Sequence, residues 1–239
     1  MHCEDYISHY RLDAELFDYF EKKSGVDRDS TRRIQQAVLH ELHPRHSGFI
    51  LDIGSGNGWL ADATQSSEAV VISCDLSFRN LQKIKANSMR SSLFVVCDAH
   101  HLPFRESCIS QLVASEMLEH VNEPERVLQE FFRVLSSNAK LIISTPYQEI
   151  IRTYLCVHCN KVSTANAHLH SFDEHSLERL SRNAGFTRNS FRRIQNKLFL
   201  LSRLSFLCRF LPFRFWRFFD AAFTMFFNKP LTIILTAQK

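Results

Sequence analysis

Three of the chain's six glycines, Gly54, Gly56 and Gly58, stand within five residues, in the stretch LDIGSGNGWLA. They directly follow a short apolar run, FILDI at 49–53, and precede a segment with helical spacing. Glycine is needed where φ is positive or where a ligand must touch the backbone. A strand that turns through such a loop into a helix sets free N–H groups and the positive helix end beside a ligand. Asp75 follows Gly54 by 21 residues, at the end of a second apolar run. An acid there suits a ribose, whose hydroxyls donate to its carboxylate. The plain alternative is a structural turn with a solvent-exposed aspartate. NAD or NADP is a rival ligand, but its G-x-G-x-x-G fingerprint would need a third glycine where Trp59 stands, so the spacing speaks against it.

Further apolar runs recur at 69–74, 93–97, 110–115 and 140–144, most of them separated by helix-like segments. That alternation implies a parallel sheet covered by helices. Upstream, residues 4–43 read as two helices, with Ser30 as a cap for the second and Pro44 ending it. The helix before the 140–144 run has Asn122 as its cap, Glu125 three residues on and Pro124 in its first turn. Its stripe is Val127, Leu128, Phe131, Phe132 and Leu135. Another helix is expected from Ser171, boxed by Glu174 and stopped at Gly185. The stretches 186–195 and 230–238 read as strands.

Charge is uneven. From Phe186 to Lys239 there are ten Lys or Arg against one acid, Asp220, whereas the first 185 residues carry nineteen bases and twenty-four acids. A basic end implies an acidic partner surface, membrane or nucleic acid. Seven scattered cysteines argue against a disulfide framework, and no apolar run preceded by basic residues opens the chain, so the cytoplasm is the expected compartment.

Between Ile50 and about Pro146 the sequence resembles the class I S-adenosylmethionine-dependent methyltransferases, and is more closely similar to members acting on small molecules, quinone-type lipids included. LDIGSGNG, CDLS (74–77), VCDAHHLPF (96–104), LVASEMLEHV (112–121) and PERVLQEFFRVLSSNAKLIISTP (124–146) resemble five family motifs in the family's order. The resemblance implies a Rossmann-like α/β fold of seven strands in the order 3-2-1-4-5-7-6. The last strand, 230–238, would be antiparallel. One domain is expected: a helical cap at 1–46, a core at 47–197, a helical insertion at 198–229 and the last strand at 230–239. S-adenosylmethionine is the implied cofactor. Asp52, Gly54, Ser55, Gly56 and Gly58 would hold its methionine part, Asp75 and Leu76 its ribose, Asp98 and Ala99 its adenine edge, with Glu116 in the segment after the fourth strand.

Methyl transfer to an alcohol or phenol needs a base. His120, preceded by Glu119, lies just after the fourth strand, where ligands of open α/β sheets bind, and an ordinary imidazole pKa suits proton removal near neutrality. The other reading is that this pair orders the loop or touches the cofactor. The segment after the fifth strand carries Cys156 and Cys159 at C-x-x-C spacing, then His168 and His170. These four could hold structural zinc; the histidines could instead line the acceptor cleft, or all four could be incidental.

Residues 198–227 hold ten of the twenty-one phenylalanines, interrupted by Arg203, Arg209, Arg214 and Arg217. The charges rule out a transmembrane span. Arg214, Arg217, Asp220 and Thr224 are expected to form a narrow polar stripe on an apolar helix. That helix could lie at a membrane interface, pack as a lid or dimer element, or join the core. The expected acceptor is a small apolar or lipid-like molecule. A nucleic-acid or protein acceptor is the alternative, although no N-P-P-Y motif follows the fourth strand; a non-catalytic cofactor-binding scaffold is the third reading.

Overall fold

A computed structural model describes residues 6–16, 18–21, 25–42, 48–65, 68–87, 92–155, 157 and 160–239. Strand alternation sorts the core into two layers. In β1 (Phe49–Ile53), Ile50 faces one layer while Leu51 and Ile53 face the other. The same split runs through β2 (Val70–Asp75), β4 (Ile109–Ser115) and β5 (Leu135–Pro146). With β3 (Leu93–Val96) these strands are parallel. Two antiparallel strands, β8 (Arg188–Asn196) and β9 (Pro230–Gln238), complete a sheet ordered β3-β2-β1-β4-β5-β9-β8. Counting the sheet's strands alone, this is the expected order 3-2-1-4-5-7-6. A separate hairpin, β6 (Thr153–Leu155) with β7 (Val162–Thr164), takes up part of the Cys-His segment, a pairing the sequence reading did not contain.

The helices differ from expectation mainly at their starts. Helix α1 is Tyr6–Leu16 and α2 is Gly25–Glu41, so Ser30 lies inside α2 rather than capping it. Asp27 in the first turn already complements the helix dipole, and Ser30 instead accepts from Gln195 Nε2 through both its carbonyl and its hydroxyl. Pro44 lies outside the described residues. After α3 (Trp59–Ala63) and α4 (Phe78–Asn87), helix α5 (Pro124–Val134) is entered through Glu123, not Asn122, and no side chain caps it. Pro124 at its first position needs no N–H partner, which lowers the demand for a cap. Val127, Leu128, Phe131 and Val134 are wholly buried under the sheet, whereas Leu135 has already joined β5. Helix α6 (Glu174–Asn183) starts after Asp173, which shares a reciprocal box with Ser176, two residues beyond the expected Ser171–Glu174 pair.

The 198–229 stretch folds as α7 (Lys197–Leu201), α8 (Arg203–Cys208) and α9 (Phe213–Phe226). Phe199, Cys208 and Trp216 form a small core of their own. The expected polar stripe on α9 does not face solvent as a unit. Asp220 turns inward, buried, and accepts the backbone N–H groups of Gln195 and Asn196 at 2.8 and 2.7 Å. Backbone donors at the end of β8 would otherwise be orphaned, and an unmet buried donor costs about 1–3 kcal/mol. Among the described residues no helix is long and apolar enough to cross a membrane.

Candidate active site

The glycine loop joins β1 to α3 at the carboxyl end of the parallel strands. Gly54, Gly56 and Gly58 all have positive φ, at 68°, 55° and 76°. A Cβ on Gly58 would collide with Ile84 Cγ2, whereas one on Gly56 would meet nothing nearer than 3.9 Å. Gly56 therefore leaves a backbone surface open to a ligand, and Gly58 serves close packing on α4. The loop's amides are less available than its glycines suggest. Gly54 and Ser55 both donate to the Cys74 carbonyl, and Gly58 donates to Ser55. What is left open is polar and buried: Asp52 Oδ2 and Ser55 Oγ have no hydrogen-bond partner among the described residues. Burial, and next the charge of Asp75, push the Asp52 carboxyl up to about 7.

Asp75 ends β2 beside this loop. Its carboxylate accepts from Ser77 N at 2.9 Å and from Asn80 Nδ2 at 3.0 Å, and Asn80 Nδ2 also reaches the Gly56 carbonyl at 2.6 Å. Asn80 thus ties the acid to the glycine loop, a role the sequence reading missed; its only trace is an amide five residues after the acid, in DLSFRN. Burial raises the Asp75 pKa, opposed by these hydrogen bonds. Leu76 follows, half-buried. Asp98 spends Oδ1 on the backbone N–H and ring of His100, at 2.9 and 2.8 Å, and Ala99 packs into the core next to it.

The segment after β4 carries the chemistry. Glu116 is held at φ 52°, a conformation that costs a non-glycine residue roughly 1 kcal/mol and collects at functional sites. Glu119 is buried. Its carboxyl accepts from Thr145 Oγ1 at 3.0 Å, and its backbone carbonyl accepts from Leu169 N and His170 N at 2.8 and 3.2 Å. Burial, then repulsion from Glu116, holds the Glu119 carboxyl well above the usual range. His120 is half-buried. Its ring meets the rings of Tyr10 and His168 edge to face, at 5.7 and 4.8 Å, and its Nδ1 lies 3.4 Å from the Ala167 carbonyl. Burial and the neighbouring His168 lower the His120 pKa to about 4, not the ordinary value expected from sequence. The imidazole is therefore neutral at pH 7. Its carbonyl neighbour places the proton on Nδ1, so Nε2 presents the lone pair.

Helix α1 closes over this cluster. Tyr10 Oη donates to the His120 carbonyl at 3.4 Å, and Lys83 of α4 reaches Asp18 just beyond α1. Of the expected zinc set, Cys156 and Cys159 lie outside the described residues. His168 Nδ1 pairs with Glu149, and His170 Nε2 donates to the Val121 carbonyl at 2.9 Å. Each histidine is thus anchored on the segment beside the site. The described group able to hold a cation is a different one: Glu119, His120 and His168 each offer one ligand atom within 4.8 Å of the others.

Residues 51–143 match the family model for a methyltransferase domain. A demethylmenaquinone methyltransferase of Paenarthrobacter aurescens is 27% identical over 136 residues, 55% of this chain and 53% of that protein. A ubiquinone biosynthesis O-methyltransferase of Psychrobacter cryohalolentis is 26% identical over 60% of this chain and 67% of its own length. The chain thus spans about half the length of the first of these relatives. Among solved structures, a SAM-dependent methyltransferase from Thermotoga maritima, described as a possible histamine N-methyltransferase, superposes with a TM-score of 0.64 at 18% identity, covering 100% of both chains. The last likeness shows the fold alone. The match to the methyltransferase domain model runs from β1 into β5, the part of the chain that carries the glycine loop, Asp75 and the Glu119–His120 pair, and the sheet order is that of the fold.

Proposed function

We propose that this protein transfers a methyl group from S-adenosylmethionine to a small apolar acceptor carrying an ionisable O–H. The observation that carries it is His120, neutral and presenting Nε2, packed between Tyr10 of α1 and the His168 segment. The open oxygens of Asp52 and Ser55 and the bare backbone at Gly56 fit the polar end of that cofactor. In this reading Asp52, Gly54, Ser55, Gly56 and Gly58 hold the methionine part, Asp75 and Leu76 the ribose, and Asp98 and Ala99 the adenine, with Glu116 bordering the methyl donor. Bound, the cofactor supplies an electrophilic methyl on a sulfonium, and the chain's work is alignment and proton removal.

His120 takes the acceptor's proton at Nε2. Glu119 is a positioning residue: buried, it fixes the loop through Thr145 and anchors the His168–His170 segment through its carbonyl. The histidines serve as lining, and zinc has no part in this reading. Tyr10 and His168 keep water from the base. The relatives named for quinone substrates support an aromatic, apolar acceptor, and a cytoplasmic enzyme meeting such an acceptor at a membrane is the setting we favour over a nucleic-acid or protein target or a non-catalytic scaffold.

The test is methyl transfer to reduced quinones and phenols by wild type and His120→Asn. The variant should lose about 10²–10⁴-fold in kcat. The acid limb of kcat/KM in wild type should fall near pH 4 rather than 6.5, because burial keeps the base neutral down to its own pKa. An unchanged rate in His120→Asn removes His120 from the chemistry.

A second expectation concerns Asp52, whose carboxyl titrates near 7. A cofactor ammonium beside it favours the ionised form, so binding lowers this pKa and releases protons. Affinity for S-adenosylhomocysteine should therefore rise as pH climbs from 5 to 7, by up to about tenfold per unit, and level off above. Asp52→Asn should flatten that dependence in a calorimetric titration; an equally steep profile in the variant would assign it elsewhere.

A further inference from the structure

We propose that the outer face of α7–α9 docks on an anionic membrane, with Arg214 and Arg217 seating lipid phosphates. Helix α9 has two unlike sides. Trp216 and Asp220 are buried against α2 and β8, whereas Phe218 and Phe226 on the opposite side are 71% and 74% exposed. Phe210, between α8 and α9, is 79% exposed, and Leu201 and Leu207 each 69%. Scattered exposed apolar side chains are ordinary, but a contiguous apolar patch marks an interaction site. Here the large apolar groups protrude from three successive helices, and the segment's aromatic core is already filled by Phe199 and Trp216.

Charge selects the partner. Across 197–229 the bases are Lys197, Arg203, Arg209, Arg214, Arg217 and Lys229, and the one acid is Asp220. Asp220 is buried and its two oxygens accept from the backbone of β8, so the bases outnumber any exposed acid on this segment. A cleft of about 380 Å³ beside Phe218 is lined by Arg192, Arg193, Arg214 and Arg217, and also by Asp220, whose carboxylate is spent on the backbone of β8. Arg192 pairs with Glu41 and Arg193 with Glu174, whereas Arg214 and Arg217 have no ion pair among the described residues. A guanidinium pair flanked by protruding phenylalanine matches an interface in which phosphates lie above acyl chains. A nucleic-acid face would need far fewer exposed aliphatic groups, and a second copy of this chain would bring bases against bases.

The location gives the surface a use. Strands β8 and β9 pair Asn196 with Pro230, and β9 pairs Thr232 with Pro146 at the carboxyl end of β5. The insertion therefore leaves and re-enters the sheet at the same edge as the active site. Docking through it would bring that edge to the bilayer, where an apolar acceptor partitions.

The experiment is flotation with phosphatidylcholine vesicles and with vesicles containing 30% phosphatidylglycerol. The full chain should float with the anionic vesicles at low salt and be released as salt rises. Arg214→Gln with Arg217→Gln should weaken that binding about fivefold per arginine. Phe218→Ser with Phe226→Ser should abolish it while leaving the melting temperature and S-adenosylhomocysteine binding unchanged. No flotation at low salt, or full flotation by the Phe218→Ser/Phe226→Ser protein, overturns the proposal. So does a stable dimer or nucleic-acid binding that uses these same side chains without vesicle binding.

Discussion

Asp75→Ala should weaken S-adenosylhomocysteine binding by about 10- to 140-fold. The carboxylate ends β2 at the carboxyl edge of the sheet, beside a glycine loop whose Gly56 backbone is open. A hydrogen bond to a charged group contributes about 1.5–3 kcal/mol, and each 1.4 kcal/mol is tenfold in affinity. One ribose hydroxyl bonded to the carboxylate therefore accounts for the range. Asp75 also holds Ser77 N and Asn80, so part of the loss could come from loosening the loop. Asn80→Ala separates the two effects. It removes the tie to Gly56 and to Asp75 while leaving the carboxylate in place. A ribose contact predicts a much larger loss in Asp75→Ala than in Asn80→Ala; equal losses would make Asp75 a structural acid. Calorimetric titration of the three proteins, each checked for a wild-type melting curve, reads the difference. A folded Asp75→Ala protein with wild-type affinity would remove the ribose assignment and weaken the proposed methyl transfer with it.

The features that were legible in the sequence are those set by short-range pattern. LDIGSGNG reads as a glycine turn after a strand, and its glycines do take positive φ; the apolar runs at 110–115 and 230–238 read as strands, and both lie in the sheet. Helix starts were less legible. Ser30, Asn122 and Ser171 are all good capping types, yet each stands away from the true cap because the first helical residue is chosen by packing as much as by capping chemistry. The pair Glu119–His120 was visible as a local motif, but its electrostatics were not. The neutral state of His120 comes first from burial and next from His168, which is 48 residues away, and its cover includes Tyr10 of α1, 110 residues away. No local spacing reports such contacts. The Phe-rich segment shows the same limit: periodicity placed Arg214, Arg217 and Asp220 on one stripe, but the demand of two backbone N–H groups on β8 drew Asp220 inward and left phenylalanine outside.

Arg33 of α2 clamps that segment to the domain, and Arg33→Ala should cost about 3 kcal/mol. Arg33 is 1% exposed, and its guanidinium donates to the carbonyls of Cys208, Arg209 and Leu211 at 3.0, 3.0 and 3.2 Å. The same group lies 4.9 Å from the centre of the Trp216 ring and donates to Gln36 at 2.8 Å. These carbonyls belong to the end of α8 and the turn before α9, whose terminal acceptors have no partner within their own helix. Burial pulls the Arg33 pKa down to about 10, with Arg32 adding to the shift, so the group stays charged at neutral pH and its hydrogen bonds are charge-assisted. Truncation leaves the Leu211 carbonyl without its donor, leaves the Cys208 and Arg209 carbonyls only Leu211 N and Arg32 Nη2, and opens a void beside Trp216. Losing charge-assisted bonds and packing together supports a figure of about 3 kcal/mol, which for a chain of this size is a fall of about 6–12 °C in melting temperature. Hydrogen exchange locates the damage: amides of α8 and α9 should lose protection first, while those of β1 and β4 keep theirs. Arg33→Met preserves the stem's packing and removes only the donors, so it should recover part of the stability and none of the α8–α9 protection. If Arg33→Ala instead lowers protection evenly across the sheet, the guanidinium supports the core as a whole. The insertion is then held by Asp220 and the aromatic cluster around Trp216, and α2 is not its clamp.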